Sequence, residues 1–148
     1  MRLLIRNLDK ILDKFDALAN RIENRRAALE TIAHLTLDSI QKNFEEEGRP
    51  IHWKPLSAAT LKARRNKRKT KILQDTGYLK SHINFKIFRN RVEIRANAVY
   101  AAIQHFGGFA GKGHKVFIPA RPYLMLQKQD ERDIHEILRD YLGFKGEA

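Results

Sequence analysis

The stretch SHINFKIFRNRVEIRAN, residues 81–97, decides the fold class of this chain. Apolar and polar residues alternate on both sides of the central Arg-Asn-Arg, which is typical of two antiparallel strands joined by a turn. The alternating apolar positions are Ile83, Phe85 and Ile87, then Val92, Ile94 and Ala96. We therefore expect a two-stranded β-hairpin near the middle of the chain.

Two helical patterns precede this hairpin. From Leu4 to Ile22 the apolar residues recur at alternating intervals of three and four, which predicts a helix with a narrow, coiled-coil-like seam. A second apolar stripe runs from Leu29 to Phe44, and Gly48 and Pro50 end it. The glutamates at 45–47 oppose the dipole of that helix, so we expect them to face a basic partner, for example residues 62–71 of a neighbouring chain.

Further elements follow the hairpin. The sequence predicts a short helix from Tyr100 to Phe106 closed by Gly107, a strand within residues 115–119, and a last helix from about Tyr123 to Gly143. This order indicates an α+β fold, a small antiparallel β-sheet packed with a long N-terminal helix or helix pair and a C-terminal helix. The 148 residues predict one domain, with an N-terminal helical segment at 1–47 and an α+β core at 48–148.

Composition excludes several classes of protein. The chain contains no cysteine, which rules out disulfide frameworks, thiolate zinc sites and thiol catalysis. No run of 18 apolar residues occurs, and the charged N-terminus lacks the apolar region of a signal peptide. These features predict a soluble protein made in the cytosol, with no membrane partner.

The net charge of +12 is concentrated in one segment. Residues 48–74 carry nine basic side chains and no acidic one, and a basic arm at 62–71 holds seven of them: Lys62, Arg64, Arg65, Lys67, Arg68, Lys69 and Lys71. Such a run prefers to be solvated, and it suits contact with an acidic protein surface or with nucleic acid. We expect the arm to be mobile in the free protein and ordered on assembly.

The glycine-rich stretch YAAIQHFGGFAGKGHKVFIPARPYL, residues 100–124, does not support a catalytic site. A P-loop needs glycine where Phe106 stands and Ser or Thr where Gly113 stands. His105 and His114 lack neighbouring Asp, Glu or Cys ligands, and no serine lies in a nucleophile elbow. We therefore predict a protein that is not an enzyme and that needs no cofactor or metal.

Four motifs, read in order, resemble the phage virion morphogenesis family, which includes tail completion and Mu-like G proteins. The motifs are HWKPLSAATLKAR, ILQDTGYLKSHI, VYAAIQHFGG and IPARPYL, and the resemblance covers about residues 44–130. The residues that match the family are Trp53, Pro55, Leu56, Thr60, Leu73, Thr76, Gly77, Leu79, Ile83, Tyr100, Ala101, His105, Phe106, Gly107, Ile118, Pro119, Ala120, Arg121, Pro122 and Leu124.

This resemblance implies a structural, non-enzymatic protein of the virion neck or tail, present in the host cytoplasm during assembly. The implied role is that of a neck or tail completion protein at the head–tail junction or tail terminus, in an oligomeric ring. Implied partners are the connector, the tail terminator or the tail tube. Separately, the basic arm leaves open nonspecific contact with phage DNA in place of contact with protein. The glycine-rich stretch is then expected to be an assembly contact. The alternative from the residues alone is a nucleic-acid-binding module that uses the arm at 62–71.

Overall fold

The structure is a computed structural model that describes residues 8–23, 25–65 and 70–143. Within these ranges the helices are α1 (Leu8–Glu23), α2 (Arg26–Glu45), α3 (Ala58–Ala63), α4 (Tyr78–Ser81), α5 (Ala101–Phe106) and α6 (Lys128–Leu142). The strands are β1 (Ile83–Ile87), β2 (Val92–Ala96), β3 (Gly108–Ala110) and β4 (Val116–Ile118). The α+β class expected from the sequence is confirmed, although the strands form two separate two-stranded sheets.

Helix α2 is the centre of the core. From Ala33 onwards its buried positions recur every three or four residues, and they include the fully buried Ile40 and Phe44 of the predicted stripe. The Phe44 ring meets Trp53 edge-on at 5.7 Å and lies tilted against Tyr123 at 5.4 Å. This aromatic cluster joins α2 to the two chain segments that lead towards α3 and α6.

The hairpin at β1 and β2 forms in the register that the alternation predicts. Ile83 lies opposite Ala96, Phe85 opposite Ile94, and Ile87 opposite Val92. These apolar residues turn one face of the hairpin towards α2, where Phe85 meets the edge of His34 at 5.1 Å. Cross-strand pairs of this kind are the unit that stabilises an antiparallel sheet.

The last helix begins at Lys128, so its predicted start near Tyr123 was wrong. The Asn43 side-chain amide donates to the carbonyls of Tyr123, at 3.0 Å, and Met125, at 2.8 Å. These carbonyls are therefore held in an extended segment instead of a first helical turn. Gln127 and Asp130 then form a reciprocal capping box at the true start. Gly143, with φ of 80°, ends the helix as expected.

A polar network holds α2, the loop after it and α6 together. Arg49 donates through Nε to Asn43 Oδ1 at 2.8 Å, and through Nη2 to the Ser39 carbonyl and hydroxyl, both at 2.7 Å. The Ser39 hydroxyl in turn donates to the Asp130 carboxylate. Because Ser39 and Asn43 are buried, these bonds satisfy groups that would be costly to leave unpaired.

Helix α1 has far fewer contacts than α2. It packs against α6, where the Tyr141 hydroxyl donates to the Arg21 carbonyl. The side chain of Phe15 remains 65% exposed and that of Ile22 47% exposed. Among the residues that the structure describes, no helix is both long enough and apolar enough to cross a membrane.

Candidate assembly surface

The second hairpin, formed by β3 and β4, presents aromatic side chains to solvent. Phe109 lies opposite Phe117 across the pair, and their rings meet edge-to-face at 5.4 Å. Phe109 is 61% exposed and Phe117 59% exposed, and Phe106 beside them is also exposed. The sequence predicted β4 but not β3, because glycine is unfavourable in strands. An exposed aromatic patch of this kind is typical of a protein-binding surface.

Gly107 connects α5 directly to this hairpin. Its φ is 73° and its ψ is −177°, a conformation essentially restricted to glycine. A Cβ at this position would lie 2.6 Å from the Ala120 nitrogen and 2.9 Å from the Ile118 carbonyl oxygen. The backbone at the two ends of the hairpin is therefore in close contact at Gly107, where no side chain fits.

Arg121 fixes the segment that leaves the hairpin. Its backbone N–H donates to the Gln104 carbonyl at 2.9 Å, and its guanidinium donates to the Lys54 carbonyl at 3.2 and 3.4 Å. The side chain is only 6% exposed, and Pro119 and Pro122 restrict φ on either side of it. Burial, with a smaller contribution from the nearby charge of Arg64, lowers the pKa of Arg121 below its ordinary value.

Tyr123 and His105 complete the base of the hairpin. The buried Tyr123 hydroxyl donates to the Ala101 carbonyl at 2.8 Å, and burial, with a smaller contribution from Tyr100, raises its pKa to about 12. The His105 ring meets Tyr123 edge-on at 5.1 Å, and its Nδ1 accepts from the Leu124 N–H at 3.4 Å. Burial lowers the pKa of His105 and so favours the neutral imidazole that this acceptor role requires.

The first two sequence motifs lie beside this base. Trp53 is buried against Phe44, while Pro55 and Leu56 line a groove next to it. Thr76 accepts through Oγ1 from the Tyr78 N–H at 3.3 Å, and Gly77, with φ of 79°, starts α4. All four motifs therefore meet around the core and the hairpin base, with Phe106 pointing to solvent and Tyr100 partly exposed.

The basic arm is attached to the domain at both ends. Arg64 is 8% exposed and donates to the Lys71 carbonyl at 2.7 Å, so the expectation of a fully solvated segment was wrong at this residue. Lys71 Nζ donates to the Glu45 carbonyl at 2.9 Å. Lys62 and Arg65 are exposed, whereas Lys67, Arg68 and Lys69 lie outside the described residues.

The glutamates at the end of α2 meet the basic segment of their own chain. The Glu47 carboxylate accepts from the Ile72 N–H at 2.6 Å, and the Glu45 carboxylate pairs with Lys80 at 3.4 Å. The neighbouring chain that the sequence suggested as their basic partner is therefore not needed to explain Glu45 and Glu47. The C-terminal carbonyls of α2 also receive the Lys71 ammonium group, which offsets the unfavourable placement of acids there.

A groove of about 1370 Å³ separates α3 from the aromatic hairpin. The sequence did not reveal it, because its walls come from four distant segments. The apolar part of its lining includes Leu56, Tyr78, Tyr100 and Phe117. Its ionisable groups are predominantly basic: Lys54, Arg64, Arg65 and Arg121, with Asp75 as the acidic member. The groove therefore suits a ligand that combines apolar side chains with carboxylates.

The histidines have structural surroundings. The His82 ring stacks on Tyr78 at 3.7 Å, and His114 Nδ1 lies 3.4 Å from the Phe109 carbonyl oxygen. Within residues 8–23, 25–65 and 70–143, no group of His, Cys, Asp and Glu side chains could hold a metal ion. The candidate binding surfaces are the exposed hairpin and the basic groove.

Comparison with known families identifies the class to which these surfaces belong. The chain belongs to the phage virion morphogenesis family, whose sequence model matches residues 6–143. Members of this family are structural proteins of phage morphogenesis, and in general they are not enzymes. The chain is therefore a phage virion protein of structural type.

One particular relative covers almost the whole chain. The chain is 38% identical over 137 residues to the Mu-like prophage FluMu G protein 2 of Haemophilus influenzae. The alignment includes 93% of this chain and 92% of that protein. No solved structure matches the chain.

Proposed function

We propose that this protein acts at the head–tail junction or the tail terminus of the phage, as a neck or tail completion protein assembled into an oligomeric ring. Its partners there are other virion proteins, namely the connector, the tail terminator or the tail tube. The observation that carries the proposal is the exposed Phe109–Phe117 pair on a base fixed by Arg121 and Tyr123. Aromatic anchors held on a rigid support are typical of protein interfaces.

Two unlike surfaces on one chain support a ring. The aromatic hairpin carries the exposed Lys112 and Lys115, whereas the exposed Asp16 and Glu23 lie beside the stripe of α1, so each can contact a different surface on a neighbour. Contacts between unlike surfaces generate closed rings when the rotation between copies closes. In this role the protein binds and positions its neighbours and performs no catalysis.

Complementation of a prophage that lacks this protein tests the role. We expect Phe109→Ser with Phe117→Ser to yield separate heads and tails by electron microscopy, since the variant loses its aromatic contact. The matched control is Ile51→Ser, which removes an exposed apolar side chain that lies outside the hairpin. Joined, infectious particles made by the double variant, or a labelled protein found away from the neck and tail end, would overturn the proposal.

A second role, contact with nucleic acid, is favoured by the exposed Lys62 and Arg65 at the start of the basic arm. Binding through phosphates predicts that log K falls linearly and steeply with log salt concentration. Titration of duplex DNA at several salt concentrations measures this slope. A smaller slope for Lys62→Gln with Arg65→Gln supports the role, whereas absent or salt-independent binding eliminates it.

A further inference from the structure

Helix α1 exposes an apolar stripe that the described residues of its own chain do not cover. A helix of 16 residues is only marginally stable alone in water, and most helices in proteins depend on packing of their apolar face. Yet Phe15 and Ile22, which lie on the same stripe seven residues apart, remain 65% and 47% exposed. Leu18 between them is only half-buried. The contact with α6 therefore accounts for part of this face, and the rest suits a further partner.

The charges of α1 are sorted by helix geometry. At 100° per residue, Asp16 and Glu23 fall on one side of the stripe, Lys14 and Arg21 fall on the other, and Asp13 lies on the face opposite the stripe. We call the first side the acidic flank and the second the basic flank. A partner for the stripe therefore meets carboxylates along one border.

Arg21, on the basic flank of α1, already contacts α6 of its own chain. The Arg21 carbonyl accepts from Tyr141, and the Arg21 guanidinium lies directly against Gly143, at the C-terminus of α6. Positive charge is favourable at a helix C-terminus. The acidic flank lies on the opposite border and carries the exposed Asp16 and Glu23.

The groove described above has the complementary character. Tyr78, Tyr100 and Phe117 give it large apolar side chains that remain partly exposed. The buried Arg121 guanidinium lines it, and within the described part of the chain the Lys54 carbonyl is its one acceptor. An apolar stripe bordered by carboxylates would cover the aromatic residues and bring negative charge towards this guanidinium.

We infer that α1 of one copy docks in the groove of a second copy, with the Phe15–Ile22 stripe on the groove aromatics and the acidic flank towards Arg65 and Arg121. The inference deepens the proposed function, on which it rests, by naming one contact between adjacent subunits of the ring. The contact joins unlike surfaces and so propagates head to tail. An antiparallel α1–α1 pair would instead place acidic flank against acidic flank.

Because the chain has no cysteine, single engineered cysteines can locate this contact. Ala19 borders the stripe of α1, Ala17 lies on the opposite side of the same helix, and Ala63 lines the groove; all three side chains are exposed. We would mix Ala19→Cys protein with Ala63→Cys protein at high concentration and treat the mixture with a short bis-maleimide. Docking predicts mixed dimers, with several-fold less product when Ala17→Cys replaces Ala19→Cys.

Three outcomes would overturn the inference. Ala19→Cys protein could crosslink to itself in preference to the mixture, which would mean that α1 pairs with α1. Duplex DNA, and not a second copy of the protein, could protect Ala63→Cys from maleimide, which would make the groove a nucleic-acid site. The mixed dimer could also be absent both in concentrated protein and in assembled particles.

Charge reversal gives an independent reading. We expect Asp16→Lys and Arg65→Glu each to weaken self-association about tenfold, and the combined variant to recover part of the loss. Both side chains are exposed, so the monomer fold tolerates the changes. Equal weakening by the matched control Lys86→Glu, on exposed β1 surface, would show a nonspecific charge effect and overturn the inference.

These results are separable from a failure of the proposed function. If labelled protein occupies the neck or tail end of particles but no Ala19–Ala63 crosslink forms there, the inference fails and the proposed function stands. If the crosslink forms but particles carry the protein elsewhere, the proposed function fails and the subunit contact stands.

Discussion

Helices α1 and α2 follow one another in the chain and show similar apolar periodicity, but they occupy opposite environments. In α2, Ala28, Ala33, Thr36, Ser39, Ile40, Asn43 and Phe44 are all buried. In α1, none of the described side chains from Asp13 to Glu23 is buried. Periodicity therefore identifies which face of a helix is apolar, whereas the rest of the fold determines whether anything covers that face.

Truncation of one phenylalanine in each helix tests this difference, and the larger effect is expected in α2. Phe44→Ala removes a fully buried ring that touches both Trp53 and Tyr123, so it leaves a cavity in the core. We expect the free energy of unfolding to fall by about 3–5 kcal/mol. Urea denaturation followed by circular dichroism measures the loss, and a loss under about 1 kcal/mol would contradict the central place of α2.

Asn43→Asp tests the polar side of α2 with little change in shape. The carboxylate keeps an acceptor for Arg49 but cannot donate to the carbonyls of Tyr123 and Met125. We expect a loss of about 1–3 kcal/mol at neutral pH, because buried acceptors lose their donors. Gln41→Glu serves as the control, because Gln41 lies on the same helix but is not one of its buried residues. This change should alter stability far less. Similar losses in the two variants would argue against the network.

The Tyr123 ring, which packs on α2, makes the stability of the folded protein depend on pH at alkaline values. Its pKa of about 12 in the folded protein lies above the ordinary value of 10.0, so folding favours the protonated phenol. This contribution is fully present below pH 10 and is lost as the pH rises towards 12. We expect Tyr123→Phe to cost about 1 kcal/mol at neutral pH through its lost hydrogen bond and to flatten the alkaline decline in stability.

Denaturation midpoints measured across that pH range, with Tyr78→Phe as the exposed control, would check this dependence. An unchanged alkaline slope in the Tyr123→Phe protein would show that other groups cause the decline.

The smallest effect is expected from Phe15→Ala in α1. Because the ring is 65% exposed, its removal should change the stability of the monomer by no more than about 0.5 kcal/mol. Measurement at low protein concentration, where copies do not associate, gives the monomer value. A loss as large as that of Phe44→Ala would mean that α1 is covered within its own chain.

The sequence predicted most elements whose apolar pattern is local. The β1–β2 hairpin and the short helix up to Phe106 lie where alternation and Gly107 placed them. The start of α6 was missed because a side chain 80 residues away, Asn43, binds the carbonyl of Tyr123. No local pattern contains that bond. Strand β3 was missed for a similar reason, since its pairing with β4 overrides the poor strand propensity of glycine.

The candidate surfaces were predicted less completely. The glycine-rich stretch was expected to be an assembly contact, and its role stays a proposal, but the sequence did not single out Phe109 opposite Phe117. Their positions around a glycine turn were the available signal. The burial of Arg64 was not predictable from a run of charges, because it depends on the return of the chain to Lys71.

The close approach at Gly107 also has an evolutionary consequence. Gly107 lies in close backbone contact with Ala120 at the base of the hairpin, and Phe109 and Phe117 beyond it are exposed and lie outside the buried core. If the hairpin is the assembly contact proposed above, we expect insertions or exchanges between Phe109 and Phe117 to alter which neighbour is recognised and to leave the scaffold beneath intact. The hairpin is in this sense an exchangeable module, and we expect a hairpin grafted from a relative to transfer partner preference without refolding the rest.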